Sequence, residues 1–405
     1  MDAKRERYTP NDVGPSPLEW KAPRLSEVST LITNGFVGTA TPFYTDITGV
    51  PYLYGTNVRA NKLETNEIRY VTREFHTAQS KTALKAGDLL TVQSGHIGET
   101  AVVTDQFHGA NCHALIVTRL KQEKADPHYL CFYVNSEIGR ARMKGLEVGS
   151  TILHINTKDL KKFRVLLPSL PEQKKIAQIL STWDKAISVT EKLLTNSQRQ
   201  KKALMQQLLT GNKRLLDENG VRFNGKWEKK LLSDVADVYQ PKTISQSMMS
   251  DSGYPVYGAN GVIGFYQEFN HETEQIAVTC RGSTCGIVNW TQAKSWITGN
   301  AMVINTDNYS YVSKKFLFYT LNGSDLKYLI SGSGQPQITG NIKTHIINLP
   351  CIEEQQKIAT VLSAADAEIY TLEKKLACLR DEKKALMQQL LTGKRRVKVD
   401  EAVAE

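Results

Sequence analysis

The chain has 405 residues, of which 40% are hydrophobic and 23% charged, the composition of a globular protein with two or three domains. No apolar run approaches the roughly 20 residues that cross a membrane, and the polar start Met1-Asp2-Ala3-Lys4-Arg5-Glu6 lacks a signal peptide's apolar segment, so we expect a cytoplasmic protein. Six scattered cysteines form no disulfide framework, and a formal charge of +10 favours a nucleic-acid partner, although a solvated basic surface would carry the same charge.

Residues 1–166 are predicted to form a first domain of short strands separated by glycine and asparagine turns. The domain opens at Trp20, and residues 86–92 form a strand that leads into the glycine-flanked loop 93–98. Glutamine amides suit adenine, arginine suits guanine, and small polar groups suit phosphate, so the candidate DNA-binding residues are Arg59, Gln93, Ser94 and His96. Polar residues in such turns also commonly satisfy only the turn, and that alternative stays open.

A long helix is predicted over residues 167–214, which carry 9 basic and 3 acidic side chains and so hold most of the excess charge. Residues at the a and d positions of a coiled coil recur every seven residues: Ile176, Trp183, Thr190, Ser197 and Leu204 at a, and Leu180, Ile187, Leu194, Lys201 and Leu208 at d. Ser169, Pro171 and Glu172 resemble a capping box at its start, and Gly211 suits a left-handed end. Such a helix is about 57–60 Å long.

Residues 215–348 are predicted to form a second strand-rich domain. Its opening at Trp227, followed by Leu232-Ser233-Asp234-Val235, repeats the Leu25-Ser26-Glu27-Val28 phrase that follows Trp20. The candidate DNA-binding residues here lie in glycine-rich turns and are Tyr257, Asn260, Arg281, Ser283, Thr284, Gln335 and Gln337. Cys280 and Cys285 could be half of a metal site, but no second pair completes it, so no metal is predicted.

A second long helix, within residues 349–396, duplicates the first. Residues 167–214 align with residues 349–396 at a constant shift of 182 without a gap, and the string 201–211 reappears unchanged at 383–393. Its a positions are Ile358, Ala365, Leu372, Leu379 and Leu386, and its d positions are Leu362, Ile369, Leu376, Lys383 and Leu390. We expect the two helices to pair antiparallel, because neither could hide its apolar stripe alone; the alternative is that each packs only on its own domain.

Several side chains on these helices are candidates for the coiled coil or for docking of partners: Leu180, Ile187, Leu194, Lys202, Leu204, Leu362, Ile369, Leu376, Lys384 and Leu386. The d-position lysines Lys201 and Lys383 either set register, reach a partner, or extend along the seam to solvent. Residues 397–405 form a tail. The predicted fold class is α+β: two strand-rich mixed α/β domains separated by two long helices in an antiparallel coiled coil, with internal pseudo-two-fold duplication.

Motifs of common catalytic sites are missing from the sequence. It has no Gly-x-x-x-x-Gly-Lys-Ser/Thr phosphate loop, no Gly-x-Gly-x-x-Gly cofactor loop and no carboxylate-plus-lysine nuclease pattern. The string Asp126-Pro127-His128-Tyr129 lacks the second proline of an amino-methyltransferase motif. No catalytic residue is predicted.

This layout resembles the specificity subunit of type I restriction–modification enzymes. The features that carry the resemblance are the Pro-x-x-x-Glu-Gln-x-Lys-Ile helix starts at 168–176 and 350–358, both Lys-Lys-Ala-Leu-Met-Gln-Gln-Leu-Leu-Thr-Gly helix ends, Trp20, Trp227 and the segment 257–261. The resemblance implies two target-recognition domains, each reading half of a split, asymmetric DNA sequence, and helices that space them and dock two methyltransferase subunits. Restriction subunits would join outside these.

By the same resemblance the complex would methylate adenine or cut distant DNA, while this chain would be non-catalytic. S-adenosylmethionine, ATP and magnesium would belong to partner subunits, and no cofactor is expected in this chain. Three alternatives remain: a stand-alone bipartite DNA-binding regulator, a self-contained methyltransferase, which the missing motifs disfavour, and a protein-only scaffold, which the charge disfavours.

Overall fold

The computed structural model describes residues 8–9, 16–149, 153–259, 261–332 and 335–399. The chain forms two compact units, the first of Met1–Val189 with Leu376–Glu405 and the second of Thr190–Lys375. Each unit therefore contains one strand-rich domain and part of each of two long helices. Within the described ranges no helix has both the length and the apolar character needed to span a membrane.

The first unit is built from short strands: β1 (Tyr8–Thr9), β2 (Ser16–Pro17), β3 (Ser29–Asn34), β4 (Tyr44–Thr45), β5 (Val50–Leu53), β6 (Val58–Arg59), β7 (Lys62–Leu63), β8 (Arg69–Val71), β9 (Leu89–Val92), β10 (Thr100–Val102), β11 (Asn111–Cys112) and β12 (Leu115–Leu120). Its helices are α1 (Arg73–Ala78), α2 (Pro127–Asn135), α3 (Glu137–Lys144), α4 (Thr157–Leu160) and the beginning of α5 (Leu170–Leu208). Short 3₁₀ turns lie at Leu25–Glu27, Thr41–Phe43, Gly55–Asn57, Ser80–Thr82 and Asp105–Phe107.

Two four-stranded sheets organise the first domain. One is antiparallel with the order β10-β9-β12-β3, and the other has the order β11-β5-β8-β4 with β11 and β5 parallel. The central strand β12 is rich in β-branched residues and almost wholly buried, as expected for the middle of a covered sheet. Helix α2 contributes Tyr129 and Leu130 to the same hydrophobic core as Ile176 and Leu180 of α5. The domain and the long helix thus share one core.

The second unit contains β13 (Glu228–Leu231), β14 (Asp237–Tyr239), β15 (Tyr254–Gly258), β16 (Gly261–Tyr266), β17 (Ile276–Thr279), β18 (Val288–Trp290), β19 (Trp296–Ile297), β20 (Ala301–Asn305) and β21 (Ile346–Leu349). Its helices are α6 (Leu232–Val235), α7 (Lys314–Gly323) and the beginning of α8 (Ile352–Leu390), and its 3₁₀ turns lie at Gln246–Met248, Lys327–Leu329 and Gly340–Thr344. The sheet order β18-β17-β20-β14 repeats the order β10-β9-β12-β3 of the first domain. The two domains therefore share a fold although their sequences have diverged.

The long helices α5 and α8 have 39 residues each, and their bounds differ by the same shift of 182 that relates the two copies in sequence. All twenty predicted a and d positions are buried or half-buried. In the first unit the beginning of α5 packs against the end of α8, and in the second the end of α5 packs against the beginning of α8, so the helices run antiparallel. This confirms the predicted pairing over separate packing.

The d-position lysines bind across the helix pair. Lys383 donates a hydrogen bond to Asp184 in the first unit, and Lys201 donates one to Asp366 in the second. Their ammonium groups also lie 5.4 Å from the ring centre of Phe132 and 5.7 Å from that of Tyr319, within the range of cation–π attraction. Each lysine therefore links the opposite long helix and the neighbouring domain, which favours a register-setting role over simple extension to solvent.

Both helix ends carry the same ion pair, an arginine bound to a buried glutamate, which we call the clamp. In the first unit Arg396 donates from Nε and Nη2 to the Glu172 carboxylate at 2.7 and 2.8 Å. In the second unit Arg214 does the same to Glu354 at 2.6 Å for each bond. The glutamate side chains are 3% and 0% exposed. Their hydrogen bonds raise the pKa of both arginines, so the bidentate pairs stay charged.

The turns after the helices have the expected backbone. Gly211 and Gly393 adopt φ of 72° and 71°, the left-handed conformation predicted for them. At the other end, Glu172 does not complete the anticipated capping box, because its carboxylate receives the Arg396 guanidinium. A long-range ion pair has taken the place of a local cap.

Replacing Glu354 by glutamine should destabilise the protein by about 1.5–3 kcal/mol, because the half-buried Arg214 cation loses its charge-assisted hydrogen bonds to a buried carboxylate. The matched control is Glu228→Gln, since Glu228 lies in an exposed pair with Lys230 and should leave stability unchanged. Urea denaturation followed by circular dichroism measures both free energies of unfolding. If both variants lost the same small amount of unfolding free energy, the clamp would not be stabilising the protein.

Candidate nucleic-acid interface

Two loops of the first unit meet at the end of β9. Residues 93–98 follow the strand, and residues 148–149 and 153–155 return to it; residues 150–152 lie outside the described residues. Ser94 pairs with His154 in an antiparallel bridge, and the Ile155 amide donates to the Gln93 carbonyl at 2.9 Å. We call residues 93–98, 148–149 and 153–155 the first loop pair.

The second unit has the same arrangement at the end of β17. Residues 280–286 follow the strand, and residues 331–332 and 335–338 return to it; residues 333–334 lie outside the described residues. Arg281 pairs with Gln337, and the Ile338 amide donates to the Cys280 carbonyl at 3.0 Å. We call residues 280–286, 331–332 and 335–338 the second loop pair.

Glycines give the two loop pairs a common backbone. Gly95 and Gly98 have φ of 82° and 76°, and Gly282 and Gly286 have φ of 84° and 92°. These left-handed positions suit glycine, whose missing Cβ also lets a ligand approach the backbone closely. An added Cβ at Gly95 or Gly282 would meet no atom within 4 Å, so these two turns are open on the outside.

The side chains on this common backbone differ. Ser94 occupies the position that Arg281 takes in the second unit, and His154 the position of Gln337. The structure brings most predicted contacts into the loop pairs: Gln93, Ser94 and His96 in the first, and Arg281, Ser283, Thr284, Gln335 and Gln337 in the second. All are exposed except Gln93 and Thr284, which are half-buried. Two related frames therefore present two different polar surfaces.

Three predicted residues are not in these loops. The Arg59 guanidinium is half-buried and donates to the carbonyls of Val58 and Gly55 at 2.8 and 3.4 Å, so its donors are partly used within its own turn. Tyr257 is 7% exposed, and its hydroxyl accepts a hydrogen bond from the Gln292 amide at 3.1 Å. These contacts favour a structural role for Tyr257. Asn260 lies outside the described residues.

Sequence reasoning did not identify His154 or Arg140. The Arg140 guanidinium donates to the Ile97 carbonyl at 2.7 Å and so holds the first loop pair in place. His154 reaches the loop by backbone pairing with a residue sixty positions earlier in the chain, at Ser94. The one available signal was the shared closing pattern of the domains, in which Gly149 corresponds to Gly332.

The predicted partner-docking residues fall into two groups. Most lie in the coiled-coil seam, buried or half-buried: Leu180, Ile187, Leu194, Leu204, Leu362, Ile369, Leu376 and Leu386. Lys202 and Lys384 point to solvent instead, in the same place on the two helix ends. A hydrogen bond from Lys384 lowers the pKa of Glu137, and the same contact raises the pKa of Lys384. Among the predicted docking residues, these two lysines are the exposed ones, and Lys384 is already paired with Glu137.

The cysteines have structural surroundings. Cys280 is buried, and its sulfur accepts a hydrogen bond from the Gln240 amide at 3.1 Å, while burial raises the pKa of the neighbouring Cys285. In the parts of the chain that the structure describes, no three His, Cys, Asp or Glu side chains are grouped so as to hold a metal ion.

Comparison with protein families gives a match over most of the chain. The model described as the type I restriction modification DNA specificity domain matches twice, at residues 17–196 and 224–378. Each match covers one strand-rich domain together with a large part of the long helix that follows it. The repeat in the fold is therefore a repeat of this family's domain.

Individual similar proteins support the same family assignment. A Methanocaldococcus jannaschii protein assigned as the type I restriction enzyme MjaX specificity subunit is 26% identical over 98% of both chains. The type I restriction enzyme EcoprrI specificity subunit of Escherichia coli is 28% identical over 28% of each chain. The S subunit of a type I restriction–modification system from M. genitalium has the same fold, with a TM-score of 0.65 and 16% identity over 92% of this chain and 96% of that one. This chain therefore belongs to the DNA specificity subunits of type I restriction–modification systems.

Proposed function

We propose that each loop pair reads one half of a bipartite, asymmetric DNA sequence. The recognition domains are residues 1–166 and 215–348, and the helices of 167–214 and 349–396 are the spacers. The observation that supports this most directly is the pair of equivalent loop frames with different side chains, Ser94 opposite His154 and Arg281 opposite Gln337. The same loop backbone, carrying different side chains in the two units, suits the reading of two different half-sites.

The chemistry of the loop pairs suits DNA. Left-handed glycines let the backbone approach phosphate, and exposed hydroxyls such as that of Ser283 can donate to it. Arg281 can donate two hydrogen bonds to guanine, and the Gln335 and Gln337 amides can pair with adenine. The net charge of +10 strengthens the attraction to the duplex.

The paired helices are proposed to dock two methyltransferase subunits, with restriction subunits binding through them. The duplicated string 201–211 and 383–393 presents two near-identical surfaces, as two copies of one partner require. Adenine methylation and ATP-dependent cleavage of DNA would then take place in the partners, which would hold S-adenosylmethionine, ATP and magnesium.

Specific DNA binding by this chain is expected to require the methyltransferase subunits. Mobility-shift assays at fixed salt with the chain alone and with the subunits added provide the comparison. Tight, sequence-specific binding by the chain alone would favour the stand-alone bipartite regulator instead.

Arg281→Ala should relax specificity at one base pair of one half-site, with a loss of about 1–3 kcal/mol for the preferred base. The control is Arg222→Ala, an exposed arginine of the same unit outside the loop pair. Binding of the assembled complex to a set of singly substituted duplexes gives the result. A uniform loss across all duplexes, with the slope of log affinity against log salt falling by about 0.9, would show a phosphate contact instead.

Exchanging residues 20–166 for the first domain of another family member should change one half of the methylated sequence and leave the other intact. The reason is that the first loop pair lies wholly within the exchanged segment. Mapping methylated adenines across the genome, with the parent chain as control, gives both half-sites together. A change in both halves would contradict modular recognition.

A further inference from the structure

A groove in the second unit lies between the end of α5 and the end of α7. Its volume is about 590 Å³, and its walls include Met205 and Leu209, the polar pair Lys202 and Gln206, and Ser324. The groove thus combines an apolar floor with one cationic and one amide donor. Within the described residues no carboxylate lies within ion-pair distance of Lys202.

The first unit has the corresponding groove between the end of α8 and the α2–α3 junction, with a volume of about 220 Å³. Four of its lining residues are the repeat equivalents of those above: Lys384, Gln388, Met387 and Leu391. Here the polar pair is occupied, because the Glu137 carboxylate accepts hydrogen bonds from Lys384 at 2.8 Å and from Gln388 at 2.6 Å. A side chain of this protein therefore occupies the polar pair of the first groove.

The domain sides of the grooves correspond as well. Asp126 caps α2 and Ser313 caps α7, and their amides donate to Gln173 and Gln355 respectively, at 2.8 Å in both cases. Counting the same number of residues forward from each cap, 126 to 137 and 313 to 324, pairs Ser324 with Glu137. Helix α7 is one residue longer than α2, so Ser324 is also the C-cap of α7, as Ser136 is of α2, and Asp325 follows that cap as Glu137 does. Ser324 lines the second groove and Glu137 lines the first, so the grooves differ at this position.

Ser324 does not replace the missing acid. Its hydroxyl donates to the Thr320 carbonyl at 2.7 Å, within its own helix. The next residue, Asp325, accepts from the Lys327 amide at 3.0 Å and so caps the following turn. Lys202 and Gln206 consequently keep the donors that their equivalents use to bind Glu137.

We propose that Lys202 and Gln206 bind a carboxylate side chain of a methyltransferase subunit, and that Glu137 occupies the matching site in the first unit. This inference rests on the docking role proposed above. A carboxylate is favoured over a DNA phosphate because the chain's own occupant is a carboxylate, and because Met205 and Leu209 suit a peptide segment. The two docking positions are then unequal: the second unit is open, whereas a partner at the first unit must displace Glu137 or bind around it.

The test is to exchange the two groove residues in the full chain, using a purified methyltransferase subunit of the same restriction–modification system as the probe. Ser324→Glu should fill the open groove and weaken binding of one of the two subunits by about tenfold, while Glu137→Ser should bring the two binding constants together. Ser247→Glu, an exposed serine of the same unit, is the control for added charge and should change neither constant. Isothermal titration calorimetry and native mass spectrometry give the constants and the stoichiometry.

Acetylation of lysines, read by mass spectrometry, tests the contact directly. Lys202 should react faster than Lys384 in the free chain and become protected when the subunit binds. If two subunits bind but Lys202 stays reactive and Ser324→Glu has no effect, the inference is wrong and the docking role stands. If no subunit binds the wild-type chain, both are wrong. Protection of Lys202 by DNA, or by concentrated chain alone, would overturn the carboxylate site in favour of a phosphate contact or a self-association surface.

Discussion

The clamp between a glutamate near the start of one long helix and an arginine just beyond the end of the other is the constraint on which each unit depends. Glu172 binds Arg396 and Glu354 binds Arg214. The next residue in each helix joins it to its domain, because Gln173 and Gln355 accept from the amides that begin α2 and α7 and donate to Pro168 and Pro350. The adjacent Glu-Gln pair thus explains the repeated helix start: one side chain holds the other helix, and its neighbour holds the domain.

The two repeats are most alike where their side chains are enclosed by packing, and they differ more elsewhere. Even beside the clamp the copies differ slightly. The Trp227 indole donates to Glu354 at 3.1 Å, whereas the buried Trp20 indole nitrogen has no hydrogen-bond partner among the described residues. Larger differences occur on the loop pairs, where side chains face solvent and packing does not restrict them. Residues that hold the helices to their domains are repeated, and the exposed residues of the loop pairs have diverged.

The helices could be predicted from the sequence because their signal is local and periodic. A heptad pattern in residues 167–214 indicated the 39-residue helix that begins at Leu170 and ends at Leu208. The internal repeat further indicated pairing, since the second copy supplied a partner with the same stripe. Strand-rich domains were equally evident from turn residues, although the sheet orders were not, because strand pairing depends on contacts between distant residues.

The candidate DNA surface could be predicted only in part. Glycines marked the loops at residues 93–98 and 280–286, but the return segments that bring in His154 and Gln337 pair with them from far along the chain. Tyr257 shows a related difficulty: a Tyr-Gly-Ala-Asn-Gly string indicates a turn, yet Tyr257 is part of strand β15, whose last three residues are buried. Glu137 had no local signal, because its partners Lys384 and Gln388 are on the other long helix.

These differences bear on how a duplicated chain can serve an asymmetric DNA sequence. Identical helix ends alone would offer two equal surfaces to two copies of a partner, and nothing in them would distinguish one half of the complex from the other. In the proposed function the loop pairs would supply that distinction toward DNA, through Arg281 in one unit against Ser94 in the other. Glu137 against Ser324 would supply the distinction toward a protein partner. A single acidic side chain would then make the two partner surfaces unequal, as the loop side chains make the two DNA surfaces unequal.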